Sequence, residues 1–429
     1  PADLPKEGSR FDLPIALGIL AASGQVQDAR MGEYEFIGEL SLGGDLNPVT
    51  GVLPAAIRAR EAGRGLVIPT ANGPECALAR GERHYCAASL LSVVAWLNGR
   101  EKLPEVAVSE SSPASSEKDL ADVHGQHQPR RALEVAAAGR HNILFSGPPG
   151  TGKTMLASRL PGILPPLSEK EALESAAVAS ISQGGLDITR WRTRSFRAPH
   201  HTASSAALVG GGSKPKPGEI SLAHHGVLFL DELPEFNRNV LEVLRVPMES
   251  GRITISRAAG HAEFPARFQL VAAMNPCPCG FHGDRSKDCV CSGEQIGRYR
   301  NKVSGPLLDR IDLFVEVARP KHIVIPGKGQ PGESSSAVRK RVITAHRVQI
   351  ARQGVFNAKL ESSGVKRHCR LDSKSESFVE QAAQQICLSP RGCQRVLKVA
   401  RTIADLDSAE SINQNHLAEA IGFRQLGRN

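Results

Sequence analysis

One run of eight residues has the residue types and the spacing that bind a phosphate chain. In chain order it is Gly147, Pro148, Pro149, Gly150, Thr151, Gly152, Lys153 and Thr154. The glycines let backbone N–H groups turn toward a phosphate, Lys153 adds a positive charge, and Thr154 offers a hydroxyl to Mg²⁺. An apolar run at 142–145 precedes the loop, and a helical pattern at 155–160 follows it. This context favours a nucleotide-phosphate site over a chance glycine-rich turn.

Two further apolar runs end in polar residues that suit hydrolysis. Residues 227–230 lead into Asp231 and Glu232, and residues 269–274 lead into Asn275. Asp231 is placed to hold Mg²⁺ through water, and Glu232 to polarise an attacking water, which separates hydrolysis from mere binding. Asn275 is placed to orient that water. The alternatives are an ordinary core strand for the first run and a turn residue before Pro276 for the second.

Four cysteines are crowded into a polar segment of the chain. They are Cys277, Cys279, Cys289 and Cys291, arranged as two C-x-C pairs. Four thiolates in a segment too polar to form core suit a tetrahedral, structural Zn²⁺ site. Free thiols are the alternative, and His282 could replace one sulfur.

Length and composition limit the class of protein. The chain has 429 residues, enough for two or three domains. No apolar run approaches the length of a membrane span, and the first residues lack a signal-peptide pattern, so we expect a cytoplasmic protein. The nine cysteines, an odd number, suit a metal or free thiols in a reducing compartment better than a disulfide framework.

The net charge of +9 is unevenly distributed along the chain. Residues 1–118 hold 11 Lys and Arg against 15 Asp and Glu, whereas residues 119–429 hold 42 against 29. The basic part is therefore the part with the phosphate loop. Such an excess favours a polyanionic partner such as nucleic acid, although it is also compatible with solubility alone.

The pattern of apolar residues divides the chain into four parts. Residues 1–103 are predicted to be a mixed α/β unit, 104–118 a Ser/Pro/Glu-rich linker, 119–333 an ATPase core, and 334–429 a helical domain. In the first part we expect helices at 11–22, 55–62 and 87–97, and strands at 34–42 and 66–69. In the last part we expect helices at 337–353, 376–386, 392–406 and 414–421.

The first part resembles the protease domain of the Lon family. The resemblance lies in residues 38–44, 48–53 and 67–69. That family uses a Ser–Lys dyad, but Ile15 stands at the serine position and Pro54 at the lysine position. Because neither side chain can act as a nucleophile or a base, we expect a Lon-like domain without peptidase activity. We also expect it to lack its N-terminal half.

Residues 119–429 resemble AAA+ ATPases, and the resemblance implies further site residues. The segment 122–126 would line the adenine pocket through Val123 and Gln126, and Asn275 would be the first sensor. The segment 305–312 resembles the magnesium-chelatase branch, in which Arg310 would be an arginine finger for a neighbouring subunit. On the helical lid, Arg391 and Arg395 would face the nucleotide as a second sensor. The alternatives are a helix cap and ordinary surface arginines.

Two inserts interrupt the ATPase pattern. Residues 197–220 contain a glycine-rich tip, and residues 251–264 alternate like a β-hairpin. In the same branch of AAA+ proteins these inserts line a central pore. Four of their residues would then contact DNA phosphates independently of sequence: Lys214, Lys216, Arg257 and His261. Solvated loop charge is the alternative.

The whole set of motifs resembles the ComM/YifB family of magnesium-chelatase-like AAA+ ATPases. The resemblance implies an α/β protein in which a partial Lon-like (S5-like) domain precedes a P-loop AAA+ core and a helical lid. It implies a homohexamer that uses ATP and Mg²⁺ to drive a DNA helicase or branch-migration motor, in recombination during natural transformation. A magnesium-chelatase-type motor that remodels a protein partner is the alternative. An ATP-dependent protease is excluded by Ile15 and Pro54.

Overall fold

The structure is a computed structural model that describes residues 8–27, 29–81, 83–107, 118–212, 215–257, 260–284, 286–319 and 332–424. The chain divides into two compact units. The first comprises Pro1–Ala114 together with Leu167–Thr193, and the second comprises Ser115–Pro166 and Arg194–Asn429. The segment 167–193 therefore belongs to the first unit, whereas the sequence analysis places it inside the ATPase core. Residues 108–117 of the predicted linker lie outside the described residues.

The helices are numbered in chain order. They are α1 (Asp12–Ala22), α2 (Val52–Glu61), α3 (Gly73–Ala77), α4 (Leu90–Leu97), α5 (His127–Gly139), α6 (Lys153–Ile163), α7 (Glu169–Ser180), α8 (Ser205–Val209), α9 (Glu219–Leu222), α10 (Arg238–Glu242), α11 (Arg245–Ser250), α12 (Gly293–Asn301), α13 (Gly305–Leu308), α14 (Ser335–Gln353), α15 (Ser362–His368), α16 (Ser373–Gln385), α17 (Pro390–Leu406) and α18 (Gln414–Gly422).

The strands are numbered in the same way. They are β1 (Tyr34–Phe36), β2 (Glu39–Leu40), β3 (Leu46–Asn47), β4 (Gly65–Pro69), β5 (His84–Ala87), β6 (Ile143–Ser146), β7 (Phe196–Arg197), β8 (Gly210–Gly211), β9 (Lys216–Pro217), β10 (Val227–Leu230), β11 (Arg252–Arg257), β12 (Gly260–Pro265), β13 (Gln269–Met274) and β14 (Leu313–Glu316).

The first unit is built on a parallel sheet of three strands in the order β1-β4-β5. Every residue of β4 is buried, as expected for the central strand of a covered parallel sheet. The strand expected over 34–42 is divided into β1 and β2. The helix expected over 87–97 begins only at Leu90, because Ala87 ends β5 and Ser89 forms a capping box with Ser92.

The second unit is built on a parallel sheet of five strands in the order β14-β6-β13-β10-β7. The four residues of β10 and the first five of β13 are buried, which explains their unbroken apolar sequence. Because all five strands are parallel, the residues that follow β6, β10 and β13 emerge at one edge of the sheet. The predicted α/β fold with a P-loop core is confirmed.

Helices α14 and α17 pack against α5, α15 and α18 pack against α17, and α16 packs against α18. His346 bonds to the carbonyl of Ala137 at 3.0 Å through Nε2, and the Gln349 amide donates to the carbonyl of Ala138 at the same distance. These two buried polar contacts fix α14 on α5. The four helices expected in this region are present with shifted ends. Helix α15 was not predicted.

No helix among the described residues is both long enough and apolar enough to cross a membrane.

Candidate nucleotide site and cysteine cluster

The phosphate loop joins β6 to α6, as its sequence context predicts. Gly150 and Gly152 have φ angles of 78° and 90°, a left-handed conformation that glycine adopts without strain. A Cβ on Gly147 would lie 2.3 Å from the carbonyl oxygen of Val317, so only glycine fits there. The loop delivers the start of α6, and with it Lys153, to the edge of the sheet.

Lys153 is folded back into the phosphate loop. Its Nζ donates to the carbonyls of Gly147 at 2.6 Å and Pro148 at 2.9 Å, and to Oδ1 of Asn275 at 3.1 Å. Burial lowers the pKa of the ammonium, and the carboxylates of Asp231 and Glu232 oppose this only in part. The direct hydrogen-bond acceptors of the ammonium given above are all carbonyl oxygens, which a charged phosphate oxygen can replace.

Thr154 and Asp231 meet at the same edge. The Thr154 hydroxyl donates to Oδ2 of Asp231 at 2.7 Å, and the N–H of Glu232 donates to Oδ1 at 3.0 Å. A hydroxyl and a carboxylate oxygen are ligands that Mg²⁺ accepts beside phosphate and water. The two residues therefore fit the predicted magnesium role.

Glu232 stands beside Asp231 with its backbone in the left-handed region, at φ 53°. Its side chain is about half exposed, with Oε2 at 3.3 Å from Nδ1 of His201. A cleft of about 500 Å³ opens here, lined by Thr154, Asp231, Glu232, His201, Phe196 and Arg159 among others. A carboxylate at the mouth of such a cleft can reach a water bound next to a phosphate.

His201 is a site residue that the sequence analysis missed. It follows β7, and β7 pairs in parallel with β10, so the residues after both strands emerge together. The His201 ring lies 4.1 Å from the ring of His200, whose Nδ1 is 2.9 Å from the Thr202 hydroxyl. The only signal in the sequence was a pair of histidines a few residues after a short strand.

Asn275 and Gln126 both lie against the phosphate loop. Asn275 directly follows β13 and accepts the bond from Lys153. The Gln126 amide donates to the carbonyl of Ala318 at 2.7 Å and that of Thr151 at 3.4 Å. Val123 is buried. The structure thus brings Gln126, predicted for the adenine pocket, and Asn275, predicted as the first sensor, to the phosphate loop.

Arg310 lies near the amino-terminal ends of the strands, whereas the phosphate loop lies at their carboxyl-terminal ends. Leu313 at the start of β14 pairs with Ile143 at the start of β6, whereas the phosphate loop follows the end of β6. The Arg310 side chain is 12% exposed, and its guanidinium donates to the carbonyl of Pro306 at 2.7 Å and pairs with Glu249 at 2.6 Å. The length of β6 therefore separates Arg310 from the phosphate loop of its own chain.

Arg395 also lies near the amino-terminal ends of the strands and not beside the phosphate loop of its own chain. It pairs with Asp312, which is 2% exposed and also accepts the N–H of Asn142 at 3.0 Å. Burial alone would raise the pKa of Asp312, but Arg395 and His141 outweigh it and lower the pKa. Among the described residues Arg391, one turn earlier, is exposed and forms no ion pair. The contact with Asp312 therefore places Arg395 away from the nucleotide site of its own chain, and the sensor role of Arg391 stays a prediction.

The four cysteines of the predicted cluster converge. Cys277 lies 3.4 Å from Cys279 and 3.6 Å from Cys289, sulfur to sulfur, and all four sulfurs lie within 4.8 Å of one another. Four sulfurs bound to one zinc at about 2.3 Å would be about 3.8 Å apart. Backbone N–H groups of Phe281 and Val290 lower the pKa of Cys279 to about 6, whereas burial and the neighbouring sulfurs raise the pKa of Cys289 to about 12, so the first thiolate would form at Cys279. The geometry fits a metal, and His282 approaches only through its N–H to Cys277.

The predicted DNA contacts are only partly described. Lys216 in β9 is exposed. His261 in β12 is exposed on the hairpin formed by β11 and β12. Lys214 and the side chain of Arg257 lie outside the described residues.

In the first unit, Ile15 lies in the first turn of α1 and Pro54 in the first turn of α2. Each occupies the position that the Lon resemblance assigns to a dyad member. Their side chains offer neither an acid–base group nor a nucleophile.

Comparison with known proteins decides the family. The chain is 52% identical to the competence protein ComM of Haemophilus influenzae, covering all of this chain and 85% of that protein. It is 49% identical to the uncharacterized protein YifB of Salmonella typhimurium, covering all of this chain and 84% of the relative. The chain belongs to the ComM/YifB family. The family resemblance predicted from the motifs is confirmed.

Family models place the ComM/YifB chain among magnesium-chelatase-like proteins. The magnesium chelatase subunit ChlI model matches residues 119–324, its C-terminal model matches 332–424, and the model for subunit ChlI of Mg-chelatase matches 1–72. The 38 kDa magnesium-chelatase subunit of Cereibacter sphaeroides is 24% identical over 68% of this chain and 86% of that protein. Membership of this AAA+ family indicates ATPase activity with ATP and Mg²⁺.

Proposed function

We propose that this protein is an ATP-hydrolysing motor that works as a homohexameric ring on DNA. One observation carries the hydrolytic part of the proposal. Lys153, Thr154, Asp231, Glu232 and Asn275 come from three strand ends and meet at one edge of the sheet. Each of these groups has a distinct task in phosphoryl transfer to water.

In this proposal Lys153 exchanges its bonds to Gly147 and Pro148 for phosphate oxygens. Thr154 and Asp231 would hold Mg²⁺, which neutralises phosphate charge when it is bound. Glu232 accepts a proton from the attacking water, and Asn275 orients that water. Val123 and Gln126 contact the base side of the nucleotide.

The position of Arg310 supports the ring. An arginine near the amino-terminal ends of the strands can contact a bound nucleotide only when the phosphate loop of a neighbouring subunit lies beside it. A heterologous, head-to-tail interface of this kind closes into a ring when the rotation between neighbouring subunits divides a full turn. Arg395 lies near the same strand ends through its pair with Asp312, so we propose that Arg395, together with Arg391 one turn earlier on α17, also acts on the neighbour's nucleotide.

The DNA part of the proposal is supported by charge and by one relative. The excess of basic residues lies in residues 119–429, and Lys216 and His261 are exposed on the two inserts. With Lys214 and Arg257, they would bind the phosphate backbone without reading sequence. The relative from Haemophilus influenzae is named a competence protein. We propose a competence-related role, namely branch migration or unwinding during natural transformation.

A chelatase-type motor that remodels a protein partner is the second candidate. Its supporting observation is that magnesium chelatase models match nearly all of residues 119–424. Both candidates share the ATP site and differ only in what the inserts contact.

The remaining parts of the proposal concern the framework of the protein. The four cysteines hold a structural Zn²⁺ ion. Residues 1–103 form a Lon-like domain without peptidase activity, residues 119–333 the ATPase core and residues 334–429 the lid. The protein works in the cytoplasm.

The deciding experiment measures ATP turnover alone and with single-stranded, duplex or branched DNA. We expect DNA to raise the rate, and DNA affinity to fall steeply as salt rises. Lys216→Glu should weaken both effects, whereas Lys170→Glu, on α7 of the first unit, should leave them unchanged. If none of the three DNAs changed the rate of ATP turnover and no salt-sensitive DNA binding were detected, the protein-remodelling candidate would be favoured.

A further inference from the structure

The loop that carries the cysteines, residues 276–291 (the cysteine loop), is in contact with the phosphate loop. Gly280 has φ 85°, and a Cβ built there would lie 2.7 Å from Cδ of Pro149. Real Cβ atoms do not approach another heavy atom so closely. The backbone of the cysteine loop therefore touches the phosphate loop at a place where no larger residue fits.

A second link runs through Asn275. Cys277 is fully buried and lies two residues after Asn275, whose Oδ1 accepts the bond from Lys153. The intervening Pro276 offers its carbonyl to Nε of Arg300 at 3.3 Å. The position of the Cys277 sulfur thus helps to set the position of the Asn275 amide.

A third link runs through the residues after β14. Asp284 of the cysteine loop pairs with Arg319 at 3.0 Å, and the Arg319 guanidinium lies 5.6 Å from the centre of the Phe281 ring. The two residues just before Arg319 contact the nucleotide site. The Val317 carbonyl abuts Gly147, and the Ala318 carbonyl accepts from Gln126.

We propose that the cysteine loop, folded around its metal, is a positioning element for the phosphate loop. A loop this polar has few apolar side chains of its own to fix its shape, so four metal–sulfur bonds would fix it instead. The metal then holds Gly280, Asn275 and Arg319 where they support the phosphate loop. Loss of the metal loosens all three supports and weakens nucleotide binding. This inference rests on the proposed nucleotide site.

The first test compares two glycines of the same loop. Gly280 and Gly283 have φ angles of 85° and 78°, so alanine strains the backbone similarly at both, but Gly283 has no atom within 4 Å of its Cβ position. Gly280→Ala should weaken binding of a fluorescent ATP analogue about tenfold, as overpacking of a close contact does. Gly283→Ala should stay close to the wild type, and both should keep the same zinc content. Equal affinities of the two variants would overturn the proposal.

The second test removes a metal ligand that is remote in sequence from these contacts. Cys289→Ser should lose zinc and bind the analogue as weakly as Gly280→Ala does. Normal binding by Cys289→Ser would overturn the role of the metal.

A third measurement needs no variant. Zinc added to reduced, zinc-depleted wild-type protein should slow hydrogen exchange in residues 147–154, and unchanged exchange there would also count against the role of the metal. Wild-type protein that binds no nucleotide would refute the proposed function itself, an outcome distinct from all of these.

Discussion

Substitution of Arg310 by alanine tests the ring most directly. Strand β6 has four residues, so the Cα atoms of its first and last residues lie about 10 Å apart at the usual rise of a strand. Arg310 lies beyond the starting end, and the phosphate loop lies beyond the other. An arginine side chain cannot cross that distance. If Arg310 contributes to hydrolysis, it must do so from a neighbouring subunit.

The expected loss is large. An arginine finger is worth about 10³-fold or more in turnover, or about 4 kcal/mol of transition-state stabilisation. Arg310→Ala should therefore bind the ATP analogue normally and hydrolyse ATP at least about 10³-fold more slowly. The Lys153→Ala variant should bind no nucleotide but should still offer Arg310 to the nucleotide of a neighbouring subunit. In a 1:1 mixture about one quarter of the sites would combine an intact phosphate loop with an intact finger, so activity should reappear.

Glu249→Gln is the control for this experiment. It removes the intrachain partner of Arg310 but leaves the guanidinium, and the pair is partly exposed, so it should cost about 1 kcal/mol or less. ATP turnover should persist in this variant. Turnover by Arg310→Ala within about threefold of the wild type would refute the finger role, because it amounts to less than 1 kcal/mol. Mixed rings without recovered activity would refute action in trans.

Three other predictions follow from the site and its framework. Glu232→Gln should bind ATP normally but lose about 10²-fold or more in turnover, measured by phosphate release, and normal hydrolysis would mean that Glu232 is not the base. Asp312→Ala removes the acceptor of the Asn142 N–H and the ion-pair partner of the partly buried Arg395, and should lower the unfolding free energy by about 1–3 kcal/mol in a urea titration. The folded state lowers the pKa of Asp312, so the ionised carboxylate stabilises the protein fully at pH values above the ordinary aspartate pKa of 3.8. This stabilisation is lost as the pH falls below 3.8. If the variant and the wild type unfolded with the same acid profile, that result would contradict the prediction. Metal analysis of protein purified under reducing, chelator-free conditions should find one zinc per chain, and clearly less would favour free thiols.

Much of the nucleotide site could be predicted because its parts are local in sequence. The phosphate loop needs glycines at fixed spacing, a lysine and a threonine, and all of them lie within eight residues. Asp231, Glu232 and Asn275 could be added because polar residues after buried parallel strands must emerge at one edge. The convergence of the four cysteines was predictable for the same reason, since they lie within fifteen residues of one another.

Other features depended on which strands and loops become neighbours. The contact between His201 and Glu232 exists because β7 pairs with β10, and nothing in the two local sequences requires that pairing. The approach of Gly280 to Pro149 joins residues more than a hundred positions apart. Residues 167–193 were assigned to the ATPase core from their position in the chain, yet they pack with the first unit.

The sequence by itself determined that this chain has a phosphate loop, a pair of carboxylates after a buried strand and a cysteine cluster. Those features depend on residue type and short spacing, which the order of residues states directly. Only the tertiary structure decided that Arg310 and Arg395 lie at the edge of the sheet opposite the phosphate loop. The reason is physical: the edge at which a residue lies is set by the direction and order of the strands, and that order is stabilised by burial of the whole sheet.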